Sequence, residues 1–183
     1  HTYRIKIAKD KRNTGQAAVL MPAYVGEVVP FRFCEIEGYE PALEQGVITR
    51  EYVHYPFDES ASYFHCSNDT LNQIWDLCKY TIKATSFAGI YVDGDRERIP
   101  YEADALINQL SHYGTDREYS LARRSYEYLL KSPTWPTEWI LQAIMIAWYD
   151  YLYTGDDRSL KATYQQLKPR TLMKLREKNG LIS

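Results

Sequence analysis

The sequence predicts an α+β fold, with a partial β-sandwich in residues 1–65 followed by helical hairpins in residues 66–183. Before Phe64, short apolar stretches are separated by glycine and proline, which is typical of strands and turns. After Cys66, apolar residues recur at the spacing of a helix, and the helical stretches follow one another through short links. Antiparallel helix pairs of this kind build α/α barrels and also helical-repeat scaffolds, but no fixed-period repeat is visible in the sequence.

Four stretches of the first part are predicted strands. They are Thr2 to Ile7, Ala17 to Met21, Val28 to Ile36 and Val47 to Tyr55. Alternation of apolar and polar side chains is clearest between Phe31 and Glu37, and it predicts one buried and one solvated face. Short strands with long links favour a β-sandwich.

Five helices are predicted in the second part. The first follows a cap at Ser67 or Asn68, and its apolar residues recur from Leu71 to Ile82. The others are predicted over residues 101–113, 117–131, 138–153 and 157–178, with Asp116 and Asp156 as caps and a kink at Pro169. The fourth helix is apolar on nearly all faces, which predicts burial within a larger assembly.

The composition narrows the classes of function. A net charge of −2 gives no indication of binding to nucleic acid or to an anionic membrane, and no apolar run is long enough to cross a bilayer. The three cysteines show no disulfide or metal-binding spacing and the four histidines are scattered, so we assign no metal and no cofactor. The 17 tyrosines supply rings that pack cores and can also stack on sugars.

A charged stretch between two apolar segments is the best candidate for chemistry. Residues 93–104 contain five carboxylates and two guanidinium groups, and they follow the apolar run from Phe87 to Val92. One interpretation is a solvated loop, in which Glu102 and Asp104 only stabilise the positive end of a helix dipole. The other is a shaped catalytic loop, because Gly94 between two aspartates indicates a tight turn.

This stretch resembles the signature of the α-L-rhamnosidases of glycoside hydrolase family 78. The matching residues, in order, are Asp93, Arg96-Glu97-Arg98, Tyr101 and Asp104. The resemblance implies that Glu97 is the general acid, that Asp93 and Asp104 bind sugar hydroxyls, and that Tyr101 is the aromatic residue of the signature. The loop is one residue shorter than the common family form, and Ala103 replaces a glycine.

A second resemblance lies in the fourth predicted helix. Trp148, Tyr151 and Gly155-Asp156 are similar to a family pattern of tryptophan, tyrosine and glycine-aspartate. In that register Trp139 matches a tryptophan that lines the sugar subsite. The family has an acid two residues later, where this sequence has Leu141, so Glu138 is the nearby acid that we consider for substrate binding. Both could instead be ordinary helix residues, Trp139 in the core and Glu138 in the first turn.

The resemblance implies an inverting glycosidase with a β-sandwich followed by an (α/α)₆ barrel as catalytic domain. It implies terminal α-L-rhamnose in a glycan or glycoside as substrate, a catalytic base in a later helix pair, and a periplasmic or extracellular location. No residue here matches the base motif, so we expect a piece of a longer protein that is inactive alone. The alternatives are another inverting (α/α)₆-barrel glycosidase, and a non-catalytic carbohydrate-binding or helical interaction module.

Overall fold

The computed structural model describes residues 4–11, 15, 17–134 and 137–182. This part of the chain contains five α-helices joined by short links. They are α1 (Asp69–Thr85), α2 (Glu102–Thr115), α3 (Ser120–Lys131), α4 (Thr137–Thr154) and α5 (Arg158–Leu167), followed by 3₁₀ helices at Lys168–Thr171 and Met173–Leu175. The predicted set of five helices is therefore confirmed. None of these helices is both long and apolar enough to span a membrane.

Side-chain caps decide where two of the helices begin. The Asn68 side chain accepts hydrogen bonds from the amides of Thr70 and Leu71, as expected of an N-cap. For α3, the prediction of a start after Asp116 is wrong, because the Glu118 carboxylate accepts the amides of Ser120 (2.8 Å) and Leu121 (3.0 Å). The helix therefore begins at Ser120, three residues later than predicted.

The last predicted helix is shorter than the sequence suggested. Its α-helical part ends at Leu167, two residues before Pro169. Proline lacks the amide that an α-helix needs at that position, so the chain continues as a 3₁₀ helix. Leu172 then adopts a left-handed conformation with φ of +56°, which separates the two 3₁₀ helices.

Two helices form the inner layer of the helical part. α2 packs against α4, while α1 lies against α2, α3 against both inner helices, and α5 against α4 and α3. The core between them is apolar, with Leu106, Leu121, Leu129 and Ile146 among its buried side chains. The links that lead into α2 and α4 lie at the same end of this layer, because side chains at the beginning of α2 contact side chains at the beginning of α4.

The predicted β-sandwich is absent from the described residues. Between residue 4 and Asn68 the described chain forms no strand, and Phe31, Phe33 and Ile36 are exposed by 45%, 84% and 42%. Alternation is a local property, whereas a stable strand also needs hydrogen-bonded neighbours and a second apolar layer. Neither is provided here, and Gly38 and Gly46 turn the chain with positive φ angles.

The segment before α1 is instead attached to the helices by hydrogen bonds at its end. The buried Lys79 ammonium donates to the carbonyl oxygens of Glu59 (2.6 Å) and Ser62 (2.7 Å). The Ser62 hydroxyl donates to the Thr115 carbonyl at 2.6 Å, and the Asp58 amide donates to the Asp116 carboxylate at 3.2 Å. Residues 58–62 are thus tied to both α1 and the end of α2.

The apolar side chains of α4 lie on two different surfaces. Ala143, Ile146 and Ala147 are buried against the other helices, whereas Trp148 and Leu152 are about half exposed. Burial of every face within a larger assembly therefore stays a prediction. Trp135, which could line a cleft, lies outside the described residues.

Candidate active site

The loop before α2, residues 93–99, is closed on itself by main-chain hydrogen bonds. The Asp93 amide donates to the Ile99 carbonyl at 3.1 Å, and the Ile99 amide donates to Oδ1 of Asp93 at 3.0 Å. Within this ring the Arg98 amide donates to the Gly94 carbonyl at 3.1 Å. Gly94 has a φ of +149°, a conformation that side chains disfavour, so glycine is needed at this turn. We call residues 93–99 the acid loop.

Glu97 is a partly exposed carboxylate of the acid loop. Its side chain is 35% exposed and forms an ion pair with the exposed Arg96. The Tyr101 hydroxyl donates to Oε2 of Glu97 at 3.2 Å. Both partners are side chains at the surface of the site, and a bound sugar could replace either contact.

Asp93 and Asp104 lie beside Glu97 and are half buried. Burial raises the pKa of Asp93, and the nearby charges of Glu97 and Asp104 raise it further. Burial also raises the pKa of Asp104, again with a contribution from the charge of Glu97. The Asp93 carboxylate is partly used by the Ile99 amide, but each aspartate retains oxygen lone pairs that can accept hydroxyl hydrogen bonds.

Two aromatic rings meet beside these carboxylates. Tyr101 and Trp139 contact edge to face with ring centroids 5.6 Å apart, so the residue preceding α2 touches the first turn of α4. Burial, followed by the hydrogen bond to Glu97, raises the pKa of the Tyr101 hydroxyl. Glu138 lies next to Trp139 in the chain, but its side chain is exposed and makes no ion pair with the described residues.

Glu102 is not the solvated first-turn acid that one interpretation of the sequence expected. Its side chain is fully buried, and its carboxylate accepts the Thr134 amide at 3.1 Å and the Thr134 hydroxyl. Thr134 belongs to the link between α3 and α4. Glu102 therefore joins the starts of the two inner helices at the same end as the acid loop.

The arrangement at this end is a group of partly exposed carboxylates beside an aromatic wall. The family model for the six-hairpin glycosidase domain of bacterial α-L-rhamnosidases matches residues 59–181. The chain belongs to this family. Comparison with curated proteins and with solved structures gave no match.

Residues 59–181 therefore belong to a six-hairpin glycosidase domain, and the protein is a glycoside hydrolase that acts on carbohydrate. The acid loop, α2 and α4 all lie within the matched residues. The helical hairpins of the structure are the elements that such a domain is built from. Among the described residues, no cluster of histidine, cysteine and carboxylate side chains is placed to hold a metal ion.

Arg98 of the glycosidase domain points away from Glu97 and into the protein. Its side chain is 1% exposed, and Nη1 donates to the Glu27 carboxylate at 2.6 Å. Nη2 donates to Asp95 and to the Val28 carbonyl, each at 2.7 Å. The guanidinium also lies 5.4 Å from the centre of the Phe87 ring. Of the two arginines in the loop, Arg96 therefore pairs with Glu97, whereas Arg98 forms its hydrogen bonds inside the protein.

Sequence reasoning placed Asp93, Glu97, Tyr101 and Asp104 in one short stretch at the start of a helix, and the structure brings these residues together with Trp139. It does not bring Glu138 into contact with them. Sequence reasoning missed Glu27, which lies 71 residues before its partner Arg98, and it also missed the buried position of Glu102. Glu27 stands in a stretch without a motif, so no signal in the sequence could have found it.

Proposed function

We propose that the parent protein is an inverting α-L-rhamnosidase of the family 78 type, with Glu97 as its general acid. The family supports a glycosidase, and the order of residues in the acid loop supports rhamnose as the sugar. One structural observation carries the choice of Glu97. Among the described residues, its carboxylate accepts hydrogen bonds only from the surface side chains of Arg96 and Tyr101, whereas Asp95 and Glu102 are bound to Arg98 and Thr134.

The chemistry requires one proton donor on the leaving-group side of the sugar. Protonated Glu97 gives its proton to the glycosidic oxygen as the bond from that oxygen to the anomeric carbon breaks. A water oxygen forms its new bond to the anomeric carbon from the opposite face, and a base takes the proton of that water. The products are the free aglycone alcohol and β-L-rhamnose. We assign the base to no residue of this chain.

Asp93 and Asp104 are proposed to bind the rhamnose hydroxyls. Their carboxylates lie on either side of Glu97 in the sequence and close enough for Glu97 to raise the pKa of each. Tyr101 and Trp139 provide an apolar wall of the kind on which a sugar face packs. Glu138 lies beside this wall, and we keep it as a substrate-binding residue of lower rank because its carboxylate contacts none of the others.

The test is hydrolysis of methyl α-L-rhamnoside, whose poor leaving group needs a proton from the acid, by the full-length protein, with wild type beside Glu97→Gln. Removal of a general acid lowers kcat by about 10²–10⁴-fold. The matched control is Glu127→Gln, on the exposed surface of α3, which should retain the wild-type rate. A Glu97→Gln rate within twofold of the control would contradict the assignment of the acid.

The stereochemistry and the sugar are tested in the same preparation. Proton NMR during turnover should show β-L-rhamnose before the anomers equilibrate, and α-L-rhamnose as first product would contradict inversion. A folded wild-type protein that hydrolyses other glycosides but not the rhamnoside would contradict the proposed substrate while leaving the glycosidase family intact.

A further inference from the structure

The acid loop is joined to a part of the chain that lies outside the matched glycosidase domain. The Glu27 side chain is 5% exposed, and its Oε1 accepts both the Arg98 Nη1 donor (2.6 Å) and the Val28 amide (3.0 Å). A buried charge is stable only when it is paired and hydrogen-bonded. The buried guanidinium of Arg98 therefore depends on a carboxylate from the segment before the helices.

The main chain of Arg98 is held by the same segment. Its carbonyl accepts the Val19 amide at 2.8 Å, and its side chain donates to the Val28 carbonyl at 2.7 Å. Arg98 has a φ of +55°, a left-handed conformation that is strained for a residue with a side chain. Such a conformation persists only where the surrounding contacts fix it. The contacts from residues 19–28 hold Arg98 in this conformation.

The fixed conformation of Arg98 determines where Glu97 points. The two residues share a peptide plane, and their side chains diverge, with Arg98 directed into the protein and Glu97 directed toward Arg96 and Tyr101. If Arg98 lost its buried partner, the loop could relax to ordinary φ values. That relaxation would move the Glu97 carboxylate relative to the rest of the site.

We propose that Glu27 and Arg98 form a positioning pair that orients Glu97 for proton transfer. This inference rests on the proposed function of Glu97 and adds a residue from outside the glycosidase domain. Neither member of the pair touches the substrate. Their effect is on the distance between the acid and the leaving-group oxygen.

The test uses Glu27→Gln in the full-length protein with two substrates that differ in leaving group. Methyl α-L-rhamnoside needs a proton from the acid, whereas p-nitrophenolate departs with much less help. Misplacement of the acid should lower kcat for the methyl rhamnoside by about 10²-fold and lower it much less for the nitrophenyl rhamnoside. KM should change little for either, because Asp93 and Asp104 are untouched.

The matched control is Glu51→Gln. Glu51 belongs to the same segment and also pairs with an arginine, but its ion pair with Arg4 is exposed on both sides and lies outside the acid loop. This variant should match wild type on both substrates. Equal losses on both substrates for Glu27→Gln, or a rate equal to that of the Glu51→Gln control, would overturn the positioning role.

A milder variant covers the case in which Glu27→Gln fails to fold. Arg98→Lys keeps the charge opposite Glu27 but replaces the forked guanidinium, which makes four hydrogen bonds to Glu27, Asp95 and Val28, with an ammonium of three donors. It should show the same dependence on leaving group, and a wild-type response to both substrates would overturn the proposal.

Hydrogen exchange separates this inference from the proposed function, because it needs no substrate. The amides of residues 94–99 should exchange faster in Glu27→Gln than in Glu51→Gln, while exchange within α3 stays unchanged. If wild type hydrolyses no rhamnoside but the loop exchanges faster, the rhamnosidase proposal fails and the link from Glu27 to the loop stands. Unchanged exchange in the loop would overturn that link whatever the activity.

Discussion

The two ends of α2 carry polar clusters that are bound in different ways. At its start, the side chains of Asp93, Glu97 and Asp104 are partly exposed. At its end, His112 is buried, its Nδ1 lies 2.7 Å from the Tyr91 hydroxyl, and its Nε2 lies 3.5 Å from Asp116. One cluster is left open to a ligand, and the other is closed within the protein.

The closed cluster explains how the segment before α1 and the helices are joined. Phe57 stacks on the His112 ring with centroids 5.7 Å apart, and the Asp58 amide donates to Asp116. The hydrogen bond to Asp116 and the ring contact with His112 together hold the segment in one position against the end of α2. In the open cluster, burial raises the pKa of Asp93 and Asp104. The comparison indicates that the residues at the start of α2 are available to bind a ligand, whereas those at its end stabilise the fold.

The largest expected effect that separates the two ends comes from His112→Ala. The change leaves the Tyr91 hydroxyl and the Phe57 ring without their buried partner and creates a cavity, so the free energy of unfolding should fall by about 3 kcal/mol. Chemical denaturation of the full-length protein measures this fall. The kcat of the molecules that remain folded should stay at the wild-type value. A loss of kcat equal to that of Glu97→Gln would show that the two ends do not have separate roles.

The pH dependence of stability should have opposite signs at the two ends. Burial lowers the pKa of His112 below its ordinary value of 6.5, against the charges of Asp116 and Glu118, so its unfolded form binds more protons. Its contribution to stability is therefore lost as pH falls below 6.5 through the lowered pKa. The pKa of Asp93 and Asp104 is raised above 3.8, so their contribution is lost as pH rises from 3.8 through the raised pKa.

Two variants isolate these slopes in thermal unfolding between pH 3 and pH 8. His112→Gln should flatten the fall in the unfolding midpoint below pH 6.5, and Asp93→Asn should flatten the decline that begins near pH 3.8. If either variant retains the wild-type slope over its own range, the group that it replaces does not produce that slope.

The smallest expected effect is a gain in stability from Asp104→Asn. An ionised carboxylate that is half buried beside Glu97 is unfavourable at neutral pH, so the isosteric amide should raise the free energy of unfolding by about 0.5 kcal/mol. The same change should raise KM for the rhamnoside, because a charged acceptor is replaced by a neutral one. Asp69→Asn, in the exposed first turn of α1, is the control and should give no gain.

The sequence predicted the helices well, because helical periodicity and caps such as Asn68 are local signals. It failed for the segment before α1, where the alternation of Phe31 to Glu37 indicated a strand that has no described partner. It also failed at the start of α3, where two acids could serve as caps and only the folded geometry selects Glu118. Each failure concerns a choice that depends on residues distant in the chain or on side-chain geometry.

The same distinction holds for the candidate site. Its main residues lie within a dozen positions, so their proximity could be read from the sequence. The contact between Tyr101 and Trp139 depends on the packing of α2 against α4. The family pattern made each of them a site candidate, but it did not predict that they touch. The pairing of Arg98 with Glu27 could not be predicted, because a carboxylate in an unpatterned segment carries no sign of its partner.

The buried contact between Glu102 and Thr134 has a kinetic consequence. Moving Thr134 away from α2 would leave a buried carboxylate without its donors, and such a state is scarcely populated. The links that lead into α2 and α4 are thus already held together before a sugar binds. Sugar association should then occur in a single fast phase, whose rate rises linearly with sugar concentration and shows no plateau from a slow closing step.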